Sequence, residues 1–316
     1  MARRAQVCGP AAVTPTGGTP QAHSLALFSA ERERLFAIAY RMLGSVEDAE
    51  DLVQETFIRW ARVDPDTIES PAAWLTTVVT RLALNQLQSA RKTRETYVGP
   101  WLPEPVLTSE EPSPSDRAEV ADSLSIAFLA VLERLTPRER AVFLLRDVFV
   151  YEYHEIARML ELSEANCRQI FHRARGRVAS KATRFHADRR THARLLESFA
   201  RAVTSGDVDG VVQLLAGDAV LWADGGGQVR AAALRPIRGA LRVARFLVGV
   251  TAKTPRDELV IATRMVNTFP ALVASIGGVA QRVVSIDVRN GRIVGVYAMA
   301  NPAKLKGMRQ PHTIGR

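Results

Sequence analysis

Side chains that can hydrogen-bond to bases and phosphates cluster between residues 164 and 175. Cys167, Ile170 and Ala174 follow helical spacing there and define a face that packs inward. The polar side chains then point outward, where amides can bond base edges and guanidinium groups can bond phosphates. The side chains predicted to contact DNA from this helix are Glu164, Asn166, Arg168, Gln169, His172, Arg173 and Arg175.

The elements around this segment have the spacing of a helix-turn-helix. Residues 136–139 form a capping box with proline at the first helical position, which starts one helix. A second helix begins near Tyr153, a tight turn follows at Glu161, and Ser163 caps the third helix. Nine Lys or Arg residues and one acid lie between residues 168 and 194, so positive charge concentrates where this helix would meet phosphates. Spacing and charge together favour DNA binding over a solvated basic helix.

An acidic helix is predicted much earlier in the chain, after Ser45. Its acids crowd one side and its apolar residues the other. An acidic face repels phosphates, so in a basic DNA-binding chain it favours docking to a basic protein partner. The charge taken alone favours a solvated amphipathic helix. The acidic side comprises Glu47, Asp48, Glu50, Asp51 and Glu55, and the apolar side comprises Ala49, Leu52, Val53, Phe57 and Trp60.

The next helical stretch, which starts at Ser70 and Pro71, reverses the sign of the charge. It mixes an aromatic residue with bases and amides, which is the chemistry for stacking and phosphate neutralisation on single-stranded nucleic acid. Trp74 alone would fit a core position as well. The predicted contacts are Trp74, Arg81, Asn85, Gln88, Arg91 and Lys92.

Composition predicts several globular domains with a polyanionic partner. The 316 residues carry a net charge of +9 and a sequence pI near 10.1. No apolar stretch is long enough for a membrane span, and the two cysteines form no metal-ligand pattern, so we expect a cytoplasmic chain without membrane, metal or cofactor. The predicted units are a disordered leader (1–24), a helical domain (25–96), a proline-rich linker (97–116), a helix-turn-helix domain (117–186), an α+β domain (187–307) and a tail (308–316).

The last domain is predicted to combine one helix, from Leu195 to Leu215, with a curved and mostly antiparallel sheet. The turn Asn290-Gly291 is a strong hairpin signal, because both residues accept positive φ. Asp224 and Asp287 are candidate acids or bases for a cavity, but we expect no histidine inside the domain and no catalysis. The sequence is also compatible with a small-molecule binding pocket in this domain, without indicating the ligand. The predicted strands are Ala219–Trp222, Leu259–Met265, Ala271–Ile276, Val283–Val288 and Ile293–Met299.

Two separated motifs resemble the extracytoplasmic-function (ECF) sigma factors, the bacterial RNA polymerase subunits that recognise promoters. Residues 40–45 with 48–55 resemble the core-binding region, and residues 135–140 through 172–175 resemble the promoter-binding region. The resemblance implies that the acidic helix binds the β′ clamp of core polymerase and that the β subunit is a second contact. It also implies that the Trp74–Arg94 block melts the minus-10 element and that the third helix binds the minus-35 element. The implied polymerase contacts are Asp48, Asp51, Leu52, Gln54 and Glu55.

The remainder resembles a subgroup whose sigma module is fused to a SnoaL-like domain of the NTF2-like fold. In this subgroup the fused domain is thought to regulate the sigma module through the linker. Gln228 and Ala303 depart from the charged residues usual in the subgroup, and Val150 and Glu161 replace glycines common in the family, while Ile170 replaces a basic residue. The implied regulatory contacts are Trp101, Leu102, Pro103, Glu104, Pro105, Asp224, Gly225, Gly226, Gly227, Asn301, Pro302, Lys304 and Leu305.

The residues alone are also compatible with two other classes of protein. One is a ligand-responsive regulator that binds operator DNA as a dimer, against which the acidic helix argues. The other is a cyclase or isomerase with a nucleic-acid-binding extension, against which the missing catalytic pair argues.

Overall fold

The computed structural model describes residues 20–108, 123–179, 189–254 and 259–308, with the backbone alone at 20–21, 90–95 and 179. Two helical domains are followed by an α+β domain, which confirms the predicted fold class. Within these ranges no helix combines the length and the apolar character that crossing a membrane requires.

The first helical domain contains three helices whose starts follow from their capping residues. Ser45 accepts a hydrogen bond from the backbone N–H of Asp48 at 3.3 Å, and Ser70 accepts one from Ala73 at 3.4 Å. Both predicted helix starts are therefore confirmed. The helices are α1 (Pro20–Leu43), α2 (Val46–Trp60) and α3 (Pro71–Glu95).

The predicted leader is wrong at its C-terminal end. Helix α1 begins at Pro20, and the carbonyl of Ser24 accepts a 2.9 Å hydrogen bond from the buried indole of Trp60. This bond ties the first turns of α1 to the core of the domain. Residues 1–19 lie outside the described residues.

The second helical domain contains the predicted helix-turn-helix. Thr136 and Glu139 form both bonds of the capping box, and the helix they start continues into one π-helical turn at Leu144–Val148. Ser163 accepts a hydrogen bond from Asn166 N–H and caps the third helix, as predicted. The helices are α4 (Ile126–Leu132), α5 (Pro137–Phe143), α6 (Tyr153–Leu160) and α7 (Glu164–Ala179).

Two turns of this domain place ordinary side chains in the left-handed backbone region. Val150 has φ +59° and Glu161 has φ +55°. These are the positions at which glycine is common in the family the motifs resemble, and glycine is the residue that adopts this region without strain.

The α+β domain contains three helices within its described ranges and six strands. The single helix predicted from Leu195 to Leu215 is wrong, because the chain breaks at Gly206, with φ +80°, and Asp207 caps a new helix. The helix at Ala240–Ala252 was not predicted, because its short run of apolar and β-branched residues is ambiguous between helix and strand. The elements are α8 (Arg189–Ser205), α9 (Val208–Leu214), β1 (Leu215–Asp224), β2 (Ile237–Arg238), α10 (Ala240–Ala252), β3 (Leu259–Val266), β4 (Phe269–Ile276), β5 (Val279–Arg289) and β6 (Arg292–Met299).

The strands form one sheet in the order β2-β1-β6-β5-β4-β3, in which only β1 and β6 run parallel. The hairpin at Asn290-Gly291 is confirmed, with φ values of 48° and 71°. One face of the sheet, the helix face, packs against α8 and α10. The opposite face, the linker face, packs against Leu102 and Ile126 from the preceding part of the chain.

The two helical domains share one hydrophobic core. Leu75 and Val79 of α3 belong to the same buried cluster as Phe143 of α5 and Ala174 of α7. The two domains are therefore packed together rather than held apart.

Candidate nucleic-acid interface and linker junction

Helix α7 carries the predicted DNA-contacting side chains on its solvent side. Cys167 and Ala174 are fully buried and Ile170 nearly so, which confirms the predicted inward face. Arg168 bonds Glu164 at 2.9 Å and lies over the Tyr153 ring, so these two predicted contacts are engaged with each other. The exposed predicted contacts are Glu164, Arg168, Gln169, His172, Arg173 and Arg175, whereas Asn166 is half-buried.

The predicted minus-10 residues of α3 differ in their surroundings. Asn85 and Gln88 are exposed, as a DNA contact requires. Trp74 is half-buried and packs 5.5 Å from the ring of Trp60, in the core position that its residue type also fits. The side chains of Arg91 and Lys92 lie outside the described residues.

Arg81, a predicted minus-10 contact, instead bonds the helix-turn-helix domain. Its Nε donates to the carbonyl of Met159 at 2.7 Å, and its Nη2 donates to that of Arg158 at 3.2 Å. Its Nη1 also pairs with Glu161 at 2.9 Å. In this packed arrangement Arg81 therefore satisfies carbonyls at the C-terminal end of α6.

The acidic face of α2 is partly engaged by neighbouring residues. Asp51 and Gln54 are exposed, whereas Asp48 accepts a 2.6 Å hydrogen bond from Gln86. Glu55 pairs with Arg59 at 2.8 Å. Leu52, another predicted polymerase contact, is only 7% exposed and lies in the core.

Two buried arginines join the helical domains, and the sequence analysis assigned neither a role. Arg140 donates to the carbonyl of Met42 at 2.6 Å, and Arg41 donates to Ser123 at 3.0 Å. Both arginines lie inside the two sigma-factor motifs, at residues 40–45 and 135–140. The motifs therefore marked these residues without indicating which atoms they bond. Their bonds satisfy polar groups that the shared core would otherwise bury without partners.

The linker segment, residues 97–108, contacts α2 through Glu104. This carboxylate accepts hydrogen bonds from Val46 N–H at 2.6 Å and from the Ser45 hydroxyl at 3.2 Å. A carboxylate at a helix N-terminus accepts hydrogen bonds from the free N–H groups and interacts favourably with the positive end of the helix dipole. Burial raises the pKa of Glu104, and the bonds from Val46 and Ser45 act in the opposite direction.

The same segment is bonded to the α+β domain through Asp224. Its two carboxylate oxygens accept hydrogen bonds from Tyr97 Oη at 2.5 Å and from Leu102 N–H at 2.9 Å. Lys304 Nζ lies 2.8 Å from Asp224 and 2.6 Å from the Leu102 carbonyl, and Asn301 donates to Tyr97 at 2.8 Å. We call Asp224, Asn301 and Lys304 the linker anchor.

Two glycines permit the close approach of these segments. At Gly44 a Cβ atom would lie 2.7 Å from the Trp101 ring, and at Gly226 it would lie 2.5 Å from the Asn301 amide. The predicted regulatory motifs are thus brought together in space. Gln228 and Ala303, the departures from the subgroup pattern, are exposed.

Asn267, in the turn between β3 and β4, is a central residue that the sequence analysis missed. It exchanges hydrogen bonds with the Val106 backbone at 2.8 and 2.9 Å and donates to Tyr40 Oη at 2.7 Å and to the Leu124 carbonyl at 3.0 Å. One buried side chain therefore links the α+β domain, the linker segment and both helical domains. An asparagine at this position indicates a turn. Its hydrogen-bond partners lie far away in the sequence, so no local pattern predicts them.

The candidate acids of the α+β domain do not face a common cavity. Asp224 belongs to the linker anchor, and Asp287 lies on the linker face, paired with Arg289 at 3.1 Å. The expectation of no histidine inside the domain is wrong, because His192 is buried on α8 and its Nε2 lies 3.1 Å from the Ile286 carbonyl. Burial lowers the pKa of His192, which favours the neutral imidazole.

Comparison with known families matches both helical domains. Residues 27–93 match Sigma-70 region 2, and residues 125–178 match Sigma-70 region 4. These ranges contain the acidic helix α2, the basic helix α3 and the helix-turn-helix.

Comparison with individual proteins extends the similarity over nearly the whole chain. The ECF RNA polymerase sigma factor SigJ of Mycobacterium tuberculosis is 38% identical over 291 residues, covering 89% of this chain and 92% of the relative. The crystal structure of that sigma factor matches with a TM-score of 0.72 over 90% of this chain and 98% of the other, at 35% identity. The probable sigma factor SigI of the same species is 29% identical, covering 90% of this chain and 95% of the relative.

The chain belongs to the ECF sigma factors of RNA polymerase. Its sigma module is followed by an α+β domain, as predicted, and the match to the SigJ crystal structure covers 90% of this chain.

Proposed function

We propose that the exposed side of α2 binds the β′ clamp of core polymerase and that the β subunit is a second contact. Helix α3 separates the DNA strands of the minus-10 element and binds them, and α7 binds the minus-35 element. The exposed side chains Asp51 and Gln54 on α2, Asn85 and Gln88 on α3, and Arg173 on α7 support these roles. We place this activity with polymerase in the cytoplasm.

The fused domain regulates this module by holding the linker segment. The observation that carries this proposal is the pair of contacts made by adjacent parts of the linker. Glu104 caps α2, the helix with the proposed polymerase face, and Leu102 is bonded through both backbone groups to the linker anchor. A change at the anchor is therefore transmitted to α2 over two residues of extended chain.

The packed arrangement corresponds to a closed state of the sigma factor. The two promoter elements lie roughly 25 base pairs apart, on the order of 85 Å at 3.4 Å per base pair. Helices α3 and α7 share one hydrophobic core and cannot span that distance while packed. Arg81 must also leave its carbonyl partners before it contacts DNA.

We propose a regulatory rather than a catalytic role for the fused domain. Among the described residues, the apolar cavity on the helix face is lined by no Asp, Glu or His. An acid or base in the cavity is what isomerisation or cyclisation would need.

A direct test uses the purified full chain, core polymerase and run-off transcription on a fragmented genomic library. We expect discrete start sites preceded by two separated common elements. Replacing Asp51 and Gln54 together with alanine should weaken core binding at least tenfold, and Asp66→Ala, another exposed acid, should not. Equal affinity of all three proteins would contradict the role of α2.

Regulation is tested by the distance between the helical domains. Spin labels at Ser89→Cys and Gln169→Cys, in a Cys8→Ser background, report that distance by pulsed electron resonance. We expect one narrow distribution, which Lys304→Met broadens toward longer distances and which added core polymerase lengthens. An unchanged distribution in Lys304→Met would show that the anchor does not hold the closed state.

A further inference from the structure

An apolar cavity of about 310 Å³ lies between the helix face of the sheet and helices α8 and α10. Phe199 and Val203 of α8, Phe246 and Val250 of α10, and Leu272 of the sheet are among its lining residues. This volume lies at the lower end of the range typical of small-ligand pockets, about 300–1,000 Å³. At about 30 Å³ for each heavy atom, the volume of a liquid water molecule, it holds roughly ten non-hydrogen atoms.

Arg282 is the charged side chain in the lining of this cavity among the described residues. It lies on β5 beside Ala274 of β4, which in turn pairs with Ile261 of β3, so a guanidinium projects from a row of otherwise apolar side chains. Burial lowers the pKa of Arg282. Its side chain is half-buried and makes no hydrogen bond or ion pair with the described residues. A partly buried charge without a partner is less well solvated than one in open water, and an anion of matching shape would compensate for that loss.

We propose that this cavity binds an amphipathic monoanion, a carboxylic acid with an aliphatic or aromatic body of about ten non-hydrogen atoms. The carboxylate accepts two parallel hydrogen bonds from the Arg282 guanidinium, the geometry in which arginine binds carboxylates most strongly. The apolar body fills the space toward Phe199 and Phe246. Of the polar side chains at the cavity, Thr204 and Thr254 donate to carbonyls four residues earlier and Gln281 donates to the Val279 carbonyl. Arg282 is the charged group among them and selects the ligand's charge.

The cavity also touches the back of the linker anchor. Its lining includes Ala223, Ala300 and Pro302, which are the sequence neighbours of Asp224 and Asn301. A ligand at this wall would lie one residue away from the contacts that hold the linker, and any effect on transcription rests on the proposed function above. Binding of the ligand to the cavity does not depend on that function, so the binding proposal and the regulatory proposal can be tested and rejected separately.

The experiment is calorimetric titration of the full chain with sodium octanoate, compared with 1-octanol, which has the same alkyl length without the charge. We expect one octanoate site per chain, at least tenfold tighter than octanol. Arg282→Met should abolish the preference and weaken octanoate at least tenfold while leaving octanol binding in place. Arg264→Met, the same change at an exposed position on β3, should alter neither affinity.

Arg282→Lys provides a second variant that retains the charge and should retain a preference for octanoate. Equal affinity for octanoate and octanol in the unmodified chain would overturn the proposal. Failure of octanoate to bind, or unchanged octanoate binding in Arg282→Met, would overturn it as well.

Discussion

Lys304 Nζ lies 2.8 Å from Oδ2 of Asp224, and the two side chains are only 9% and 0% exposed. The pair joins the end of β1 to the segment after β6, and Lys304 also lies 4.0 Å from the centre of the Trp101 ring. Because the same lysine donates to the Leu102 carbonyl, the ion pair holds the linker as well as the domain.

The first prediction concerns the stability of this pair. Lys304→Met leaves the Asp224 carboxylate buried without its counter-ion, so we expect the free energy of unfolding to fall by about 3–5 kcal/mol. Adding Asp224→Asn removes the unpaired charge, so the double variant should lose less than the sum of the two single variants. Urea unfolding of the four proteins measures the cycle.

Lys306→Met is the matched control, because Lys306 is exposed two residues further along the chain. It should change the free energy of unfolding by less than about 0.5 kcal/mol. A loss in Lys304→Met no larger than in this control, or strictly additive single losses, would show that the pair has no energetic coupling.

A second prediction concerns the left-handed backbone of Val150. Its side chain is 69% exposed, so few packing contacts are lost when it is removed. Val150→Gly should raise the free energy of unfolding by about 1 kcal/mol, because glycine adopts φ +59° without the Cβ clash. Val150→Ala keeps the clash and should bring no such gain. Thermal unfolding compares them, and equal stability of the glycine and alanine variants would exclude backbone strain.

The local elements of this fold were predictable because their signals lie within a few residues. Ser45, Ser70 and Ser163 each act through an N–H three residues ahead, and the Asn290-Gly291 turn needs only two positive φ values. The order of helical and α+β domains follows from such signals and from the motifs. The break at Gly206 was missed because a single glycine does not by itself end a helix.

The contacts between domains were not predictable in the same way. Arg81 has the residue type of a DNA contact, and nothing near it in sequence shows that carbonyls 77 and 78 residues away accept its hydrogen bonds. Asn267 likewise contacts Tyr40 across 227 residues. Motif positions indicated that the linker and the α+β domain touch, whereas the identity of each donor and acceptor required the structure.

A third prediction concerns the dependence of stability on pH. Burial raises the pKa of Asp287 from 3.8 to about 6, and the ion pair with Arg289 opposes this shift. Glu133 and Arg134, which follow α4, and Asp218 and Arg238 of the sheet line the same pocket. The folded state therefore keeps a proton that the unfolded state has lost, so stability falls as pH rises from about 4 to 6 and stays low above that.

Asp287→Asn removes the titrating group and should flatten this part of the stability profile. At pH 7.5 the variant should gain about 2–3 kcal/mol, from roughly two pKa units at 1.36 kcal/mol each, and the gain should vanish near pH 4. Asp218→Asn, the same change at an exposed carboxylate of the sheet, is the control. Urea unfolding between pH 4 and 8 decides the matter, and a gain independent of pH would exclude titration of Asp287 as the cause.

The last prediction separates a phosphate contact on α7 from the general charge of the chain. Arg173 is exposed on the solvent side of the recognition helix, with Cys167 and Ala174 buried behind it. A guanidinium that neutralises one phosphate releases about one counter-ion, so Arg173→Ala should weaken promoter binding and reduce the salt slope of the affinity by about one. Arg230→Ala makes the same charge change on the α+β domain, where Arg230 is exposed, and should leave the slope unchanged. Fluorescence anisotropy on a promoter fragment across a salt series measures both slopes; an equal change in the two variants would assign the effect to net charge rather than to contact by α7.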